Sequence, residues 1–414
     1  MTETKKNTNL VAIITMCFIF AMISFVTNMA APFGNIWGNK YEWSKMAGNL
    51  MNFAAYLFMG IPAGKMLLKV GYKKTTLIAL ATGFVGVVVQ WLSSRSFLGE
   101  SAIYVYLLGA FICGFCVCML NTVVNPMLNI LGGGGNKGNQ FIQIGGTCNS
   151  LAGTLTPLLV GVLIGTVTDN TKMSDVSPLL FIAMAVFAIS FVIIYFVRIP
   201  EPALERKNLK FEHSAWNFRH TVLGIIAIFF YVGIEIGIPA QLNFYISDLG
   251  FEGSAAVAGF LAASYWFLMM IGRFLSSAIS GKVSTRAQMI CVSSLAILLL
   301  LVAIFLPESV SMTVKGSAVP MKCIFLALCG ICTSIMWGAI FNLAVEGLGK
   351  YTEQASGLFM MMVVGGGIMP LIQQAIAQRA GAIPSYWLVV AMLAYLLYYA
   401  LWGCKNVNKD IPVE

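Results

Sequence analysis

Charge is what this chain has least of. Only 10% of its 414 residues are Asp, Glu, Lys or Arg, and histidine occurs twice. With 59% hydrophobic residues and a mean hydropathy of +0.85, there is too little polar surface to cover a water-soluble globule, so the chain reads as a polytopic membrane protein. Both histidines, His213 and His220, fall in a central polar connection, and no His/Asp cluster occurs inside an apolar run. That leaves no catalytic set and no metal set, and it argues against a membrane-embedded enzyme. A polar tail precedes the first apolar run and no small-residue cleavage site follows it at signal-peptide length, so the run is expected to be a retained helix. The ten cysteines lie in or beside apolar runs, which predicts no disulfide framework; Cys113, Cys116 and Cys118 have a metal-like spacing but read as small packing residues.

Apolar sequence is abundant, in lengths that cross a bilayer. Spans at 9–34, 46–70, 74–93, 101–131, 140–166, 178–198, 219–246, 254–279, 286–306, 320–346, 352–377 and 384–403 predict an all-α membrane protein with twelve transmembrane helices. Eighteen of the 25 Lys and Arg fall on the side of the two termini, Arg273 among them at the end of the eighth span, and seven fall on the other. The positive-inside rule then gives an N-in/C-in orientation, and the net charge of +9 is topological instead of a nucleic-acid footprint. After six spans comes a charged connection with Glu201, Glu205, Arg206, Lys207, Lys210 and Glu212. It divides the chain into an N-terminal six-helix bundle at 1–198, a cytoplasmic linker at 199–218 and a C-terminal six-helix bundle at 219–414. The expected setting is the lipid bilayer of a cell membrane, the bacterial inner membrane.

Acids are scarcer still inside the spans. Fifteen of the sixteen lie in tails, connections or near span ends, and Glu235 does not. Roughly 15 residues of helix separate it from Arg219–His220, which puts the carboxylate about 22 Å into a slab about 30 Å thick. An acid at that depth should face a water-filled path or a polar partner, and such residues mark ion, proton or substrate routes; the alternative is a structural acid held neutral by a hydrogen bond. No arginine or lysine is expected deep in any span, which speaks against sugar phosphates as cargo. Neutral amides are plentiful instead: Asn28, Asn121, Asn125, Gln143, Asn149, Gln241 and Asn342 are candidate substrate-binding residues, since each amide both donates and accepts, as recognition of paired sugar hydroxyls requires. Tyr231, Phe244, Tyr265, Trp266 and Trp337 are candidates to lie against the apolar face of a sugar ring. Hydrogen bonding between helices is the competing role for the amides, and ordinary packing for the aromatics.

Several short motifs, in order, carry a resemblance. Asn121-Thr122-Val123-Val124-Asn125-Pro126, followed by Asn129-Ile130-Leu131-Gly132, looks like the acid-Thr-x-x-Asn-Pro signature of the fucose/proton symporter family. Ile61-Pro62-Ala63-Gly64, Asn149-Ser150-Leu151, Tyr231-Val232-Gly233, Ile271-Gly272-Arg273-Phe274 and Val364-Gly365-Gly366-Gly367-Ile368 line up around it. The six-plus-six layout likewise resembles the major facilitator superfamily, which implies two bundles rocking about a site near the midplane. Asn28 and Asn121 stand where proton-coupled members of the symporter family carry an aspartate and a glutamate, and Gly146 stands where a glutamine is expected. An amide cannot carry a proton near neutral pH, so coupling passes by implication to Glu235. Proton, sodium and no coupling ion stay open as alternatives. The resemblance implies an importer of a small sugar, a hexose, deoxyhexose or amino sugar, working as a monomer without a cofactor. A monocarboxylate sugar such as a sialic acid or uronate, an uncoupled uniporter, and a non-transporting sugar sensor are the other readings.

Overall fold

The computed structural model describes residues 3–29, 33, 36, 37, 40, 41, 44, 47–164, 172–205, 211–252, 254–314 and 316–413. Pro32, Lys45, Arg206, Lys207 and Lys210 lie outside them. The helices are α1 (Glu3–Asn28), α2 (Ala47–Leu92), α3 (Ala102–Leu131), α4 (Gly135–Ile164), α5 (Ser177–Phe196), α6 (Arg219–Ser247), α7 (Ser254–Ile279) and α8 (Thr285–Phe305). After a two-stranded hairpin, β1 (Ser311–Val314) and β2 (Ser317–Pro320), come α9 (Lys322–Thr333), α10 (Met336–Val345), α11 (Thr352–Met361), α12 (Gly365–Ala380) and α13 (Ala382–Tyr398). Among the described residues, ten helical stretches are long and apolar enough to cross a membrane.

The longest helix holds two of the expected spans. With 46 residues α2 would be about 69 Å long if straight, more than twice the ~30 Å a bilayer core needs. Gly71 breaks it, at φ 86° and ψ 176°, a conformation that a side chain would strain. The break frees N–H groups, and the Glu201 carboxylate takes those of Tyr72 and Lys73 at 2.5 and 2.8 Å. A span expected at 320–346 is likewise interrupted, between α9 and α10 at Ser334–Ile335, and the eleventh is interrupted by a 3-10 turn at Met362–Val364 before Gly365–Gly367. The hairpin fills the connection after α8, with Ser311 opposite Pro320 and Gly316 at φ 83° in its turn. All ten cysteines are free thiols.

Glycine sets how closely residues before and after the central connection approach. A Cβ at Gly60 would lie 2.5 Å from the Met361 backbone nitrogen, and one at Gly357 would lie 2.7 Å from the Gly60 carbonyl oxygen and 3.0 Å from the Gly64 Cα. The Gly60-x-x-x-Gly64 face of α2 therefore packs backbone to backbone against α11, as small residues allow in membrane helices. A second such contact runs between α4 and α7, where Gln140 Nε2 donates to the Ser277 carbonyl at 3.0 Å and Asn139 Nδ2 to Ser280 Oγ at 3.2 Å. Side chains such as Phe58, Tyr104, Phe196 and Phe274 face outward, an apolar exterior suited to lipid.

Candidate functional site

Glu235 is held by α6, whose position is fixed by glycine contacts with α12. Gly365 lies against the Phe229 carbonyl, and a Cβ at Gly233 would come within 2.5 Å of Met369 Cβ, so the two helices pack closely there. From that support the carboxylate meets Arg273 of α7, with Nη2 3.2 Å from Oε1. This differs from the sequence expectation that no basic residue lies deep and that Arg273 marks a helix end. Six residues of α7 follow it, and helical spacing puts it on the inward face with Tyr265, Met269, Ser276 and Ser280, while Trp266, Phe267, Phe274 and Leu275 face outward. That period was the available signal.

The guanidinium has partners from both parts of the chain. Nε donates to the Ser334 carbonyl at 3.2 Å, which the interruption between α9 and α10 presents. Nη1 donates to Ser150 Oγ at 2.8 Å and lies 3.4 Å from both Asn149 Oδ1 and the Gly146 carbonyl, all on α4. Gly146 lies alongside the arginine stem, where an added Cβ would meet Arg273 Cδ at an ordinary van der Waals distance of 3.4 Å. The Arg273 and Glu235 side chains keep only 11% and 14% of their surface accessible, so the charge pair is largely enclosed by protein.

A second polar chain approaches from α3. Asn121 Nδ2 donates to the Tyr56 hydroxyl at 2.9 Å, Asn125 Nδ2 donates to the Asn121 carbonyl at 2.8 Å, and Asn125 Oδ1 accepts the Trp337 indole N–H at 3.0 Å. The Trp337 ring stands 6.3 Å from the ring of Tyr231, one helical turn before Glu235. The Tyr231 hydroxyl is buried without a well-formed hydrogen bond. Asn121, Asn125, Asn149 and Glu235 thus belong to one neighbourhood, together with Tyr56, absent from the sequence reading, and with Ser150 and Arg273, which it named only within motifs and not as site residues.

The other expected site residues make no contact with the charge pair. Asn28 is half-buried and bonds within α1, to the Ser24 carbonyl and hydroxyl at 2.8 and 3.1 Å. Gln143 donates to the Ile335 carbonyl at 2.9 Å, and Asn342 accepts from Asn129 at 2.6 Å and donates to Thr285 at 3.1 Å; these contacts join α4 and α3 to α10. Gln241 donates to Gln374, while its Oε1 and both amide atoms of the neighbouring Gln373 are buried without partners. Among the aromatic candidates Tyr231 and Tyr265 are buried and Trp337 is half-buried, whereas Phe244 and Trp266 are exposed.

The sequence profile of the Major Facilitator Superfamily matches residues 11–370. The chain is 31% identical over 421 residues to a glucose/galactose transporter of Brucella abortus, covering 98% of this chain and 97% of that one. It is 24% identical over 378 residues to the L-fucose-proton symporter of Escherichia coli, covering 84% and 81% of the two chains. A crystal structure of a point variant of the Escherichia coli fucose:proton symporter shares the fold, with a TM-score of 0.81 at 19% identity over 96% of this chain and 100% of that chain.

Proposed function

The chain belongs to the Major Facilitator Superfamily, and on that footing we propose that it is a secondary transporter of a small sugar, a hexose or deoxyhexose, working by alternating access. The observation that carries the reading is the largely buried Glu235–Arg273 pair, set among Asn121, Asn125 and Asn149, with partners from both parts of the chain. The amides supply the donor-and-acceptor chemistry of hydroxyl recognition, and Trp337 supplies a ring face. The names of the relatives, a glucose/galactose transporter and an L-fucose-proton symporter, support sugar as the cargo and a proton as the coupling ion. Glu235 is the proton carrier in this reading, because Asn28 and Asn121 cannot titrate near neutral pH. The moving bodies are residues 1–198 and 219–414, joined by 199–218, with both termini in the cytoplasm of a bacterial cell and one chain as the working unit.

A second reading keeps the carrier and changes the cargo. A buried guanidinium is a ready partner for a carboxylate, so Arg273 favours a monocarboxylate sugar over other anionic cargo. Reconstituted protein in liposomes, given radiolabelled glucose, galactose, fucose and glucuronate under an imposed proton or sodium gradient, separates these cases. Uptake of a neutral sugar above equilibrium under the proton gradient alone is expected. Accumulation of glucuronate only would establish the second reading, and saturable sugar binding without uptake would replace the transporter by a sensor.

A further inference from the structure

α6 begins without a cap of its own. Phe218 at its N-cap offers no side-chain acceptor, yet the first N–H of the helix is bonded: Arg219 N donates to Asn408 Oδ1 at 3.0 Å, from 189 positions further along the chain. Asn408 thus does from a distance what an N-cap asparagine does within its own helix. It belongs to residues 404–413, which follow the last helix and fold back over the ends of others. Arg286 at the start of α8 holds the base of this segment, its Nε donating to the Ala400 carbonyl at 2.9 Å and its Nη2 to the Leu401 carbonyl. The far end reaches the turn between α10 and α11, where the Lys350 N–H donates to the Val413 carbonyl at 2.9 Å. Ile411 and Val413 are half-buried against the apolar core, which gives the segment a packed underside.

That turn has the makings of a hinge. Gly347 and Gly349 stand at φ 72° and 48°, a region glycine enters freely and other residues avoid. The start of α6 ties down the side before them: His220 Nε2 lies 3.0 Å from the Glu346 carbonyl, and Thr221 Oγ1 donates to the Ala344 carbonyl at 2.9 Å. Residues 404–413 tie down the side after them, through Lys350, and crowd both glycines. A Cβ at Gly347 would lie 3.0 Å from Asn406 Nδ2, and one at Gly349 would lie 2.1 Å from the Val413 carbonyl oxygen. Beyond the hinge runs α11, which meets α2 at Gly357. We propose that residues 404–413 are a strap that clamps this glycine hinge to the start of α6 and so slows the movement of α11 during the transport cycle. With the strap in place both sides of the hinge are fastened to one helix end, directly by His220 and Thr221 and through Asn408 by the strap. Without it one side is free, and the two glycines regain backbone freedom. The strap contributes no side chain to the neighbourhood of Glu235, so it acts on rate and not on sugar recognition.

The slowing rests on the transport reading above, whereas the clamp can be tested without sugar. Hydrogen–deuterium exchange of the protein in lipid nanodiscs reads the hinge in segment 346–352 and the capped helix start in segment 219–223. Asn408→Ala should speed exchange about threefold or more in both segments, as the loss of a helix cap does, and Asn408→Asp, which keeps the acceptor, should keep wild-type protection. Deletion of residues 407–414 should speed it about tenfold or more. In liposomes the same deletion should raise the counterflow rate of labelled sugar about twofold or more with KM unchanged. Unchanged protection of 346–352 after the deletion overturns the clamp. A loosened hinge with an unchanged or lowered counterflow rate, or with a changed KM, overturns the slowing. If the shortened chain does not fold, Asn408→Ala and Asn408→Asp decide both points by the same readings. A wild type that moves no sugar refutes the transport reading, and the deuterium exchange then still decides the clamp.

Discussion

Trp337 and Asn125 meet between the two parts of the chain, the indole N–H donating to the amide oxygen at 3.0 Å. The bond holds the Trp337 ring between Tyr231 and Phe359, whose centroids lie 6.3 and 5.8 Å away. Trp337→Phe keeps an aromatic ring and removes the donor, leaving a buried acceptor that costs about 1–3 kcal/mol. A lower melting temperature together with a raised KM for sugar uptake is expected. Unchanged KM would assign Trp337 to packing alone.

Glu235→Gln keeps the shape of the side chain and removes its charge and its proton. Gradient-driven accumulation should disappear while exchange of labelled for unlabelled sugar persists. Parallel accumulation and counterflow assays read the two quantities, and intact accumulation would remove Glu235 from the coupling step.

Gly357 faces the backbones of Gly60 and Gly64, so a side chain there has no flexible neighbour to displace. Gly357→Val should destabilise the α2–α11 contact by about 1–3 kcal/mol or more. Gly259→Ala, on an exposed face with nothing within 4 Å of the new atom, serves as the control and should leave melting unchanged or slightly raised. Equal melting of the two variants would contradict the close approach.

Glu201 lies in the connection outside the spans, and partial burial raises its pKa above the ordinary 4.5, opposed by the Lys73 and Tyr72 N–H groups and by the charges of Lys73 and Lys74. A raised pKa means that the folded protein holds this proton more tightly than the unfolded chain. Its contribution to stability is therefore full below pH ~4.5 and falls as pH rises through the raised value. Glu201→Gln should flatten that slope in melting temperatures measured from pH 4 to pH 7. A slope identical to that of the wild type would show that Glu201 titrates alike in both states.

Much of this architecture could be read from spacing alone. The apolar run at 254–279 matches α7, and the expected connection near residue 71 is the break in α2, because length and the glycine set both. The major facilitator fold implied by the six-plus-six layout is the fold found. The pairing of Glu235 with Arg273 was not legible. The two residues are 38 positions apart on different helices, and an arginine near a helix end counts equally well as a topological charge. Asn342 and Gln143 have the same chemistry as Asn125, and only packing sends them to contacts with Asn129 and Ile335.

The interruption at Ser334–Ile335 has its own effect. The carbonyls there accept from Arg273 and Gln143, and that of Ile335 also accepts the Ala339 N–H. A rod that is jointed where its oxygens have side-chain donors can bend at the joint without exposing bare peptide to a dry interior. The tenth span is therefore jointed at the level of the charge pair, where the Ser334 carbonyl meets Arg273.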